Sequence, residues 1–126
     1  MAGGAIHSFK DLEVWKMAMS LAADSYQLTR QLPKEEVYGL TSQVRRAAVS
    51  IPANIAEGHG RENTGSFIQF LRIAQGSTKE LETLLLLTRD VGLLQQEAID
   101  PLLTKIERIG KMLRSLIRSL QKTQAP

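Results

Sequence analysis

Apolar residues recur along this chain at spacings of three and four positions, a pattern that predicts four helices. The helices are predicted over residues 10–32, 34–57, 64–91 and 95–122. The residues predicted to face inward are, helix by helix, Leu12, Trp15, Met19, Ala22 and Tyr26; Val37, Leu40, Val44, Ala47, Ala48, Ile51 and Ile55; Phe67, Phe70, Leu71, Ala74, Leu81, Leu84, Leu85 and Thr88; and Leu102, Ile106, Ile109, Leu113, Leu116, Ile117 and Leu120. No segment alternates with the two-residue period of a strand.

Capping and turn residues set the predicted helix ends. Ser8 is the candidate N-cap of the first helix, and Asp11 stands where a carboxylate can return to the cap amide. The turn Gly58-His59-Gly60 is predicted to end the second helix. Asn63 or Thr64 is predicted to cap the third.

Two prolines interrupt the helical pattern. Pro52 falls inside the second helix, where the missing amide and the ring clash cost about 3 kcal/mol. Because apolar residues flank it on both sides, the helix is predicted to continue through Pro52 with a bend. Pro101 suits only the first turn of a helix, so Asp100 is an alternative start for the fourth.

The connections between predicted helices are short, which makes sequential helices antiparallel neighbours. The predicted fold is therefore all-α, an antiparallel up-down-up-down four-helix bundle with a proline-kinked second helix. We expect residues 1–126 to form one domain, with residues 1–8 and 123–126 frayed.

Composition excludes several classes of function. The chain has 43% hydrophobic and 23% charged residues, which argues against disorder, and it has no cysteine, which excludes disulfides and thiolate chemistry. The longest apolar run is Leu84 to Leu87, far shorter than a membrane span. With no signal-peptide pattern in residues 1–8, we expect a cytoplasmic protein with no membrane partner.

The two histidines offer no metal-binding pattern. Neither His7 nor His59 has a glutamate three positions before it, as the di-iron bundles require. We therefore expect no metal, no cofactor, no small-molecule substrate and no catalytic residues. An enzyme or small-molecule carrier remains a third alternative.

The basic residues of the fourth helix are the main indication of a binding surface. The chain is basic overall, with 16 Lys and Arg against 13 Asp and Glu, a net charge of +3. Five cations share the helix face opposite the apolar stripe, within about 120° at about 100° per residue. They are Arg108, Lys111, Arg114, Arg118 and Lys122, called the α4 strip below. The strip predicts a surface that contacts successive phosphates of a nucleic-acid backbone. The alternative is that these cations form an ordinary solvent-exposed helix face.

Arg45 and Arg46 complete the predicted nucleic-acid-binding set. On a helix they point about 100° apart, so they cannot both face one partner. One is predicted to form a salt bridge with Glu57, Glu80 or Glu82, and the other to reach solvent or a subunit boundary.

Asn54 and Glu57, three positions apart on the same helix, are interpreted as structural polar partners. No basic patch in the chain is interleaved with aromatic residues, so base stacking is not expected.

The third helix carries apolar residues outside its main stripe. Ile68 and Leu86 lie about 130° from the stripe, and a second apolar strip predicts a second packing partner. We therefore assign Ile68 and Leu86 to an interface between copies of the chain. Gly76-Ser77 marks a thin point where another helix can approach closely.

Several motifs together resemble one protein family. They are FKDLEVW at 9–15, YGLTSQVRRAAVSIPANIAEG at 38–58, FLRIAQGS at 70–77 and ELE at 80–82. They resemble the bacterial four-helix bundle proteins related to those encoded in intervening sequences of 23S ribosomal RNA genes. The resemblance covers the chain from Phe9 to about Leu120. The bundle also resembles the accessory protein of diversity-generating retroelements.

The resemblance implies an antiparallel bundle with a kinked second helix and ring-shaped homo-oligomers, with pentamers as the expected state. It implies no catalytic residue set, and the retroelement relative implies nucleic-acid binding through a basic surface. The leading hypothesis is therefore a non-enzymatic, oligomeric protein that binds RNA or structured DNA through phosphate contacts. The alternative is a protein–protein interaction scaffold for a nucleic-acid-processing partner.

Overall fold

The computed structural model describes residues 8–124, and within that range it contains helices and no strand. The four long helices are α1 (Glu13–Thr29), α2 (Leu40–Gly60), α3 (Thr64–Asp90) and α4 (Gln96–Gln124). Two single 3-10 turns, Phe9–Asp11 and Lys34–Glu36, precede α1 and α2. The all-helical class and the four helices are confirmed. His7 and the rest of residues 1–7, like residues 125–126, lie outside the described range.

The cap predicted at Ser8 forms, but on a different element. The Lys10 amide donates to Ser8 Oγ at 3.1 Å, and the Ser8 amide donates to Asp11 Oδ2 at 3.2 Å. This reciprocal pair closes the 3-10 turn, and Leu12 is then extended, with φ −74° and ψ 124°. The first α-helix therefore begins at Glu13 rather than at Lys10.

The second helix is displaced toward the C-terminus relative to its prediction. Residues 34–36 form a separate turn, so α2 begins at Leu40. It continues without interruption through Pro52, as predicted, and runs on through Gly58 to Gly60. The predicted end at Glu57, with residues 58–60 as a capping turn, is wrong because α2 includes those three residues and Gly58 is buried against the neighbouring helix.

The connection from α2 to α3 needs only three residues. Glu62 supplies the left-handed conformation of this turn, with φ 58°. Asn63 Oδ1 then accepts the Ser66 amide at 2.9 Å, which confirms Asn63 as the cap of α3.

The fourth helix tolerates its proline. Because α4 begins at Gln96, Pro101 lies inside it, and the alternative start at Asp100 is wrong. Proline removes the amide that the Glu97 carbonyl would accept. Pro101 and Glu97 are both exposed, so water can satisfy that carbonyl.

The inward face of α1 is the part of the core that differs most from its prediction. Met19 and Tyr26 were placed in the core, yet their side chains are 46% and 40% exposed. The face that packs inward is rotated by about one residue, or about 100°. Its buried residues are Val14, Ala18, Leu21, Ala22, Ser25, Leu28 and Thr29.

Two of those buried residues are polar, which explains the error. Ser25 Oγ donates to the Leu21 carbonyl at 2.8 Å, and Thr29 Oγ1 donates to the Ser25 carbonyl at 2.9 Å. A hydroxyl bonded to its own helix is buried at little cost, but a hydrophobicity pattern counts it as an outward residue.

The other three stripes are largely confirmed. The predicted residues that are buried in α2, α3 and α4 are Val44, Ala47, Ala48, Ile51, Ile55, Leu71, Ala74, Leu81, Leu84, Leu85, Thr88, Leu102, Ile106, Ile109, Leu113 and Ile117. Val37 is an exception, because it lies in the turn before α2 with half of its side chain exposed.

The second apolar strip of α3 belongs to the core of the single chain. Ile68 is buried, and Leu86 is half-buried and packed against the core. Because α3 packs against both α2 and α4, it needs two apolar strips within one bundle. The assignment of Ile68 and Leu86 to an interface thus loses its basis, since neither forms an exposed strip.

Helices α2 and α3 pack closely at Gly58. A Cβ placed on Gly58 would stand 2.6 Å from the Cβ of Phe70 on α3. Further along the same pair of helices, Ser50 Oγ and Ser77 Oγ are hydrogen-bonded at 2.7 Å. Of the predicted pair Gly76-Ser77, Ser77 makes the close approach, whereas Gly76 has open space where its Cβ would be.

None of the helices in residues 8–124 combines the length and hydropathy that a membrane span requires.

Candidate nucleic-acid interface

The α4 strip lies on the outer surface, as its helical spacing predicts. All five of its residues are exposed, while Ile106, Ile109 and Leu113 on the opposite face of the helix are buried. Lys111 Nζ is 3.7 Å from Glu107 Oε1, a loose and exposed ion pair. Within residues 8–124 the other four cations form no ion pair, so their charges are available to a partner.

The strip has dimensions that suit a nucleic-acid backbone. Arg108 and Lys122 are 14 positions apart. At a rise of about 1.5 Å per residue they are separated by about 21 Å, the length of about six base pairs. No acidic residue occurs between them, whereas Glu97, Asp100 and Glu107 lie in the preceding part of α4. The second half of α4 is therefore uniformly cationic.

A polar cleft of about 410 Å³ lies between α3 and α4 beside the strip. Lys79, Lys111 and Arg114 line it together with two carboxylates, Glu82 and Glu107. Each carboxylate has a lysine partner at 3.7 Å, and Arg114 forms no ion pair with another residue of the range 8–124. The cleft thus extends the positive surface from the strip toward α3.

One of the two arginines reaches solvent, as predicted, but the predicted salt bridge does not form within residues 8–124. Arg45 Nε donates to Thr29 Oγ1 at 2.9 Å, and its guanidinium carbon lies 4.4 Å from the centre of the Tyr26 ring. Arg46 is exposed. Neither forms the predicted salt bridge, since Glu57 pairs with Arg61 and Glu82 with Lys79.

The two arginines nevertheless line one groove. It has a volume of about 700 Å³, runs over the outer face of α2 and is called the Tyr38 groove below. Its other walls include Tyr26, Tyr38 and Val49, and none of the described residues that line it carries a carboxylate. Although the two side chains point about 100° apart, the groove is wide enough for both to line it, so its geometry allows one partner to contact both.

The sequence pattern did not predict that aromatic residues line this groove. Tyr26 had been assigned to the core, and Tyr38 lies in the turn before α2, 95% exposed. One sequence signal for the groove was present: Tyr38, Ser42, Arg45, Val49 and Ala53 follow helical spacing along one face. A hydrophobicity pattern does not detect this face, because it mixes aromatic, cationic and small residues.

The remaining polar residues of this region have local structural roles. The Asn54 side-chain amide donates to the Ser50 carbonyl at 2.8 Å and to Ser50 Oγ at 2.9 Å, so Asn54 pairs with Ser50 rather than with Glu57. The His59 ring packs edge-to-face on Phe67, with centroids 5.6 Å apart. Among residues 8–124 no group of three His, Asp or Glu side chains is arranged to hold a metal ion.

One further cation of α4 lies outside the strip. Lys105 Nζ is 2.5 Å from Asp24 Oδ2 and 2.7 Å from Ser20 Oγ, which ties α4 to α1. Its charge is therefore neutralised within the bundle.

Comparison with known proteins places this helical arrangement in a family. A search among curated proteins found no significant match. A solved structure from Bacteroides thetaiotaomicron, described as a protein of unknown function from the S23 ribosomal protein family, superimposes with a TM-score of 0.77. It is 26% identical, and the match covers 83% of this chain and 95% of that one. The family described as 23S rRNA-intervening sequence protein matches residues 10–115. The chain therefore belongs to the 23S rRNA-intervening sequence protein family.

Proposed function

We propose that this protein is a non-enzymatic, oligomeric, cytoplasmic nucleic-acid-binding protein that holds RNA or structured DNA through phosphate contacts. The observation that carries the proposal is the α4 strip, with five exposed cations along about 21 Å of helix and no acid among them. Such a surface attracts a polyanion by releasing its counterions and reads no sequence.

Assembly multiplies this surface. We propose that the bundle is antiparallel and that its second helix bends at Pro52. We also propose that the protein forms a closed homo-oligomer, a pentamer as the family resemblance implies. The contacts of Gly58 with Phe70 and of Ser50 with Ser77 support antiparallel α2 and α3, because the later α2 residue meets the earlier α3 residue. Several copies of the α4 strip around one axis would raise affinity through multivalency.

Three exposed apolar residues along α3 and its C-cap form a line, interrupted by the exposed Glu80, that supports a contact with another protein surface. Ile73, Leu87 and Val91 are 51%, 45% and 56% exposed. At about 100° per residue they fall within about 40° of one another on the helix. A second copy of the chain would cover this line in a homo-oligomer. The same line also favours the second candidate function, a scaffold for a nucleic-acid-processing protein.

Removing charge from the α4 strip tests the proposed binding. The double variant Arg114→Gln/Arg118→Gln is expected to weaken binding to a labelled RNA duplex. It should also lower the slope of log affinity against log salt by about 1.4–1.8 per chain, since each lost phosphate contact removes about 0.7–0.9. Fluorescence anisotropy between about 50 and 200 mM salt measures both quantities.

The matched control carries the same loss of charge elsewhere. Arg30 and Lys34 are exposed in the connection between α1 and α2, and Arg30→Gln/Lys34→Gln should leave the salt slope nearly unchanged. Equal slopes for the two double variants would show that only net charge matters and that the strip has no special role. Light scattering of the wild-type protein tests the assembly, because a mass of one chain at micromolar concentration contradicts the ring and favours the scaffold.

A further inference from the structure

We propose that the Tyr38 groove binds an unpaired nucleotide segment, with a base stacked on the Tyr38 ring and phosphates held by Arg45 and Arg46. The inference rests on the proposed nucleic-acid binding and adds a substrate class to it, namely single strands with free bases. The groove volume of about 700 Å³ lies within the usual range for sites that hold small organic groups.

The exposure of Tyr38 is the first support. Its ring is 95% exposed in the turn before α2, so it contributes almost nothing to the core. An aromatic ring buries about 150–250 Å² when a partner covers it. Every base has a flat face that can stack on such a ring, whereas bases inside a duplex are already stacked on one another.

The charge of the groove is the second support. Arg45 and Arg46 line it, and its lining within the described part of the chain contains no carboxylate. The carboxylate of Glu36, on the preceding turn, has Oε1 turned to the Leu40 amide at 3.1 Å. The groove is therefore complementary in charge to a polyanion, because no carboxylate among its described lining residues would repel the phosphates.

The geometry of Arg45 is the third support. Thr29 Oγ1 accepts from its Nε, and the Tyr26 ring covers one face of the guanidinium. Within residues 8–124 the two terminal amino groups of Arg45 form no hydrogen bond, so they remain available to phosphate oxygens. The guanidinium is thus held in place with its bidentate edge free.

Two strands of equal length and charge separate stacking from phosphate attraction. The probes are a fluorescent oligouridine of about 12 nucleotides and the matching ribose-phosphate strand without bases. Tyr38→Ala is expected to weaken oligouridine binding by about 5- to 150-fold, the range for loss of one stacked base. Binding of the base-free strand should not change. Tyr38→Phe keeps the ring and should bind oligouridine within about twofold of wild type.

Further outcomes distinguish this inference from the proposed function. If Tyr38→Ala weakens both strands equally, or neither, while Arg114→Gln/Arg118→Gln weakens both, the groove inference fails and the phosphate-binding function stands. If the wild-type protein binds neither strand nor duplex RNA, both fail. A smaller mass for Tyr38→Ala than for wild type in light scattering would mean that a second copy covers the groove, which overturns the inference. Circular dichroism should show an unchanged melting curve for Tyr38→Ala, because the side chain is exposed.

Discussion

Replacing Leu21 with alanine is expected to lower the free energy of unfolding by about 2–5 kcal/mol, the cost of truncating a fully buried leucine and leaving a cavity. Leu21 has no exposed surface and lies among the core residues of α1. Unfolding in urea, followed by circular dichroism, measures the loss. It should appear as a lower midpoint with an unchanged dependence on denaturant.

The matched control for Leu21→Ala is Met19→Ala, two positions away on the same helix. Because 46% of the Met19 side chain is exposed, its truncation should cost less than about 1 kcal/mol. Comparing the two variants shows which face of α1 points into the core. A larger loss for Met19 than for Leu21 would mean that α1 faces inward with the stripe predicted from hydrophobicity, and that Ser25 and Thr29 are not core residues.

Replacing Gly58 with alanine is expected to destabilise the protein by about 1–2 kcal/mol, the net of overpacking and a favourable helix propensity. The new Cβ would lie 2.6 Å from the Cβ of Phe70 and 3.1 Å from Phe67 Cδ1. The Phe70 Cβ is fixed to its backbone and cannot rotate away, so α2 and α3 must separate locally. Thermal and urea unfolding measure the effect.

Gly76→Ala provides the comparison for Gly58→Ala. Gly76 lies within α3, and nothing lies within 4 Å of the position of its Cβ. Alanine there should stabilise the helix by about 0.5–1 kcal/mol because it restricts the unfolded chain. Opposite signs at the two glycines are expected. A stabilising effect at both would contradict the close packing of α2 on α3.

Helix α3 illustrates how much of this fold can be predicted from the sequence. Its predicted span of 64–91 matches the observed Thr64–Asp90, because Asn63 gives a strong capping signal and Gly92 adopts φ 85° just after the end. The α4 strip was also placed correctly on the surface, since one helix alone determines which of its residues share a face.

Other features depend on contacts that a linear pattern does not contain. Gly58 resembles a helix stop, yet it is a packing residue because Phe70 lies across from it. The Ile68–Leu86 strip resembles an interface until α3 is seen to have two neighbours in its own chain. The Tyr38 groove joins Tyr26 of α1 to residues of α2 and the turn before it, and the contribution of Tyr26 depends on how α1 packs on α2.

The distribution of charge along α4 has a consequence for how the protein meets a partner. Its first part carries Glu97, Asp100 and Glu107 with one lysine, and the part from Arg108 to Lys122 carries only cations. This separation gives the helix an electric moment along its length. In the field of a polyanion the molecule is turned during diffusion, so that the cationic half arrives first. The gain lies in the rate of productive encounters, and added salt reduces that gain by screening the charges.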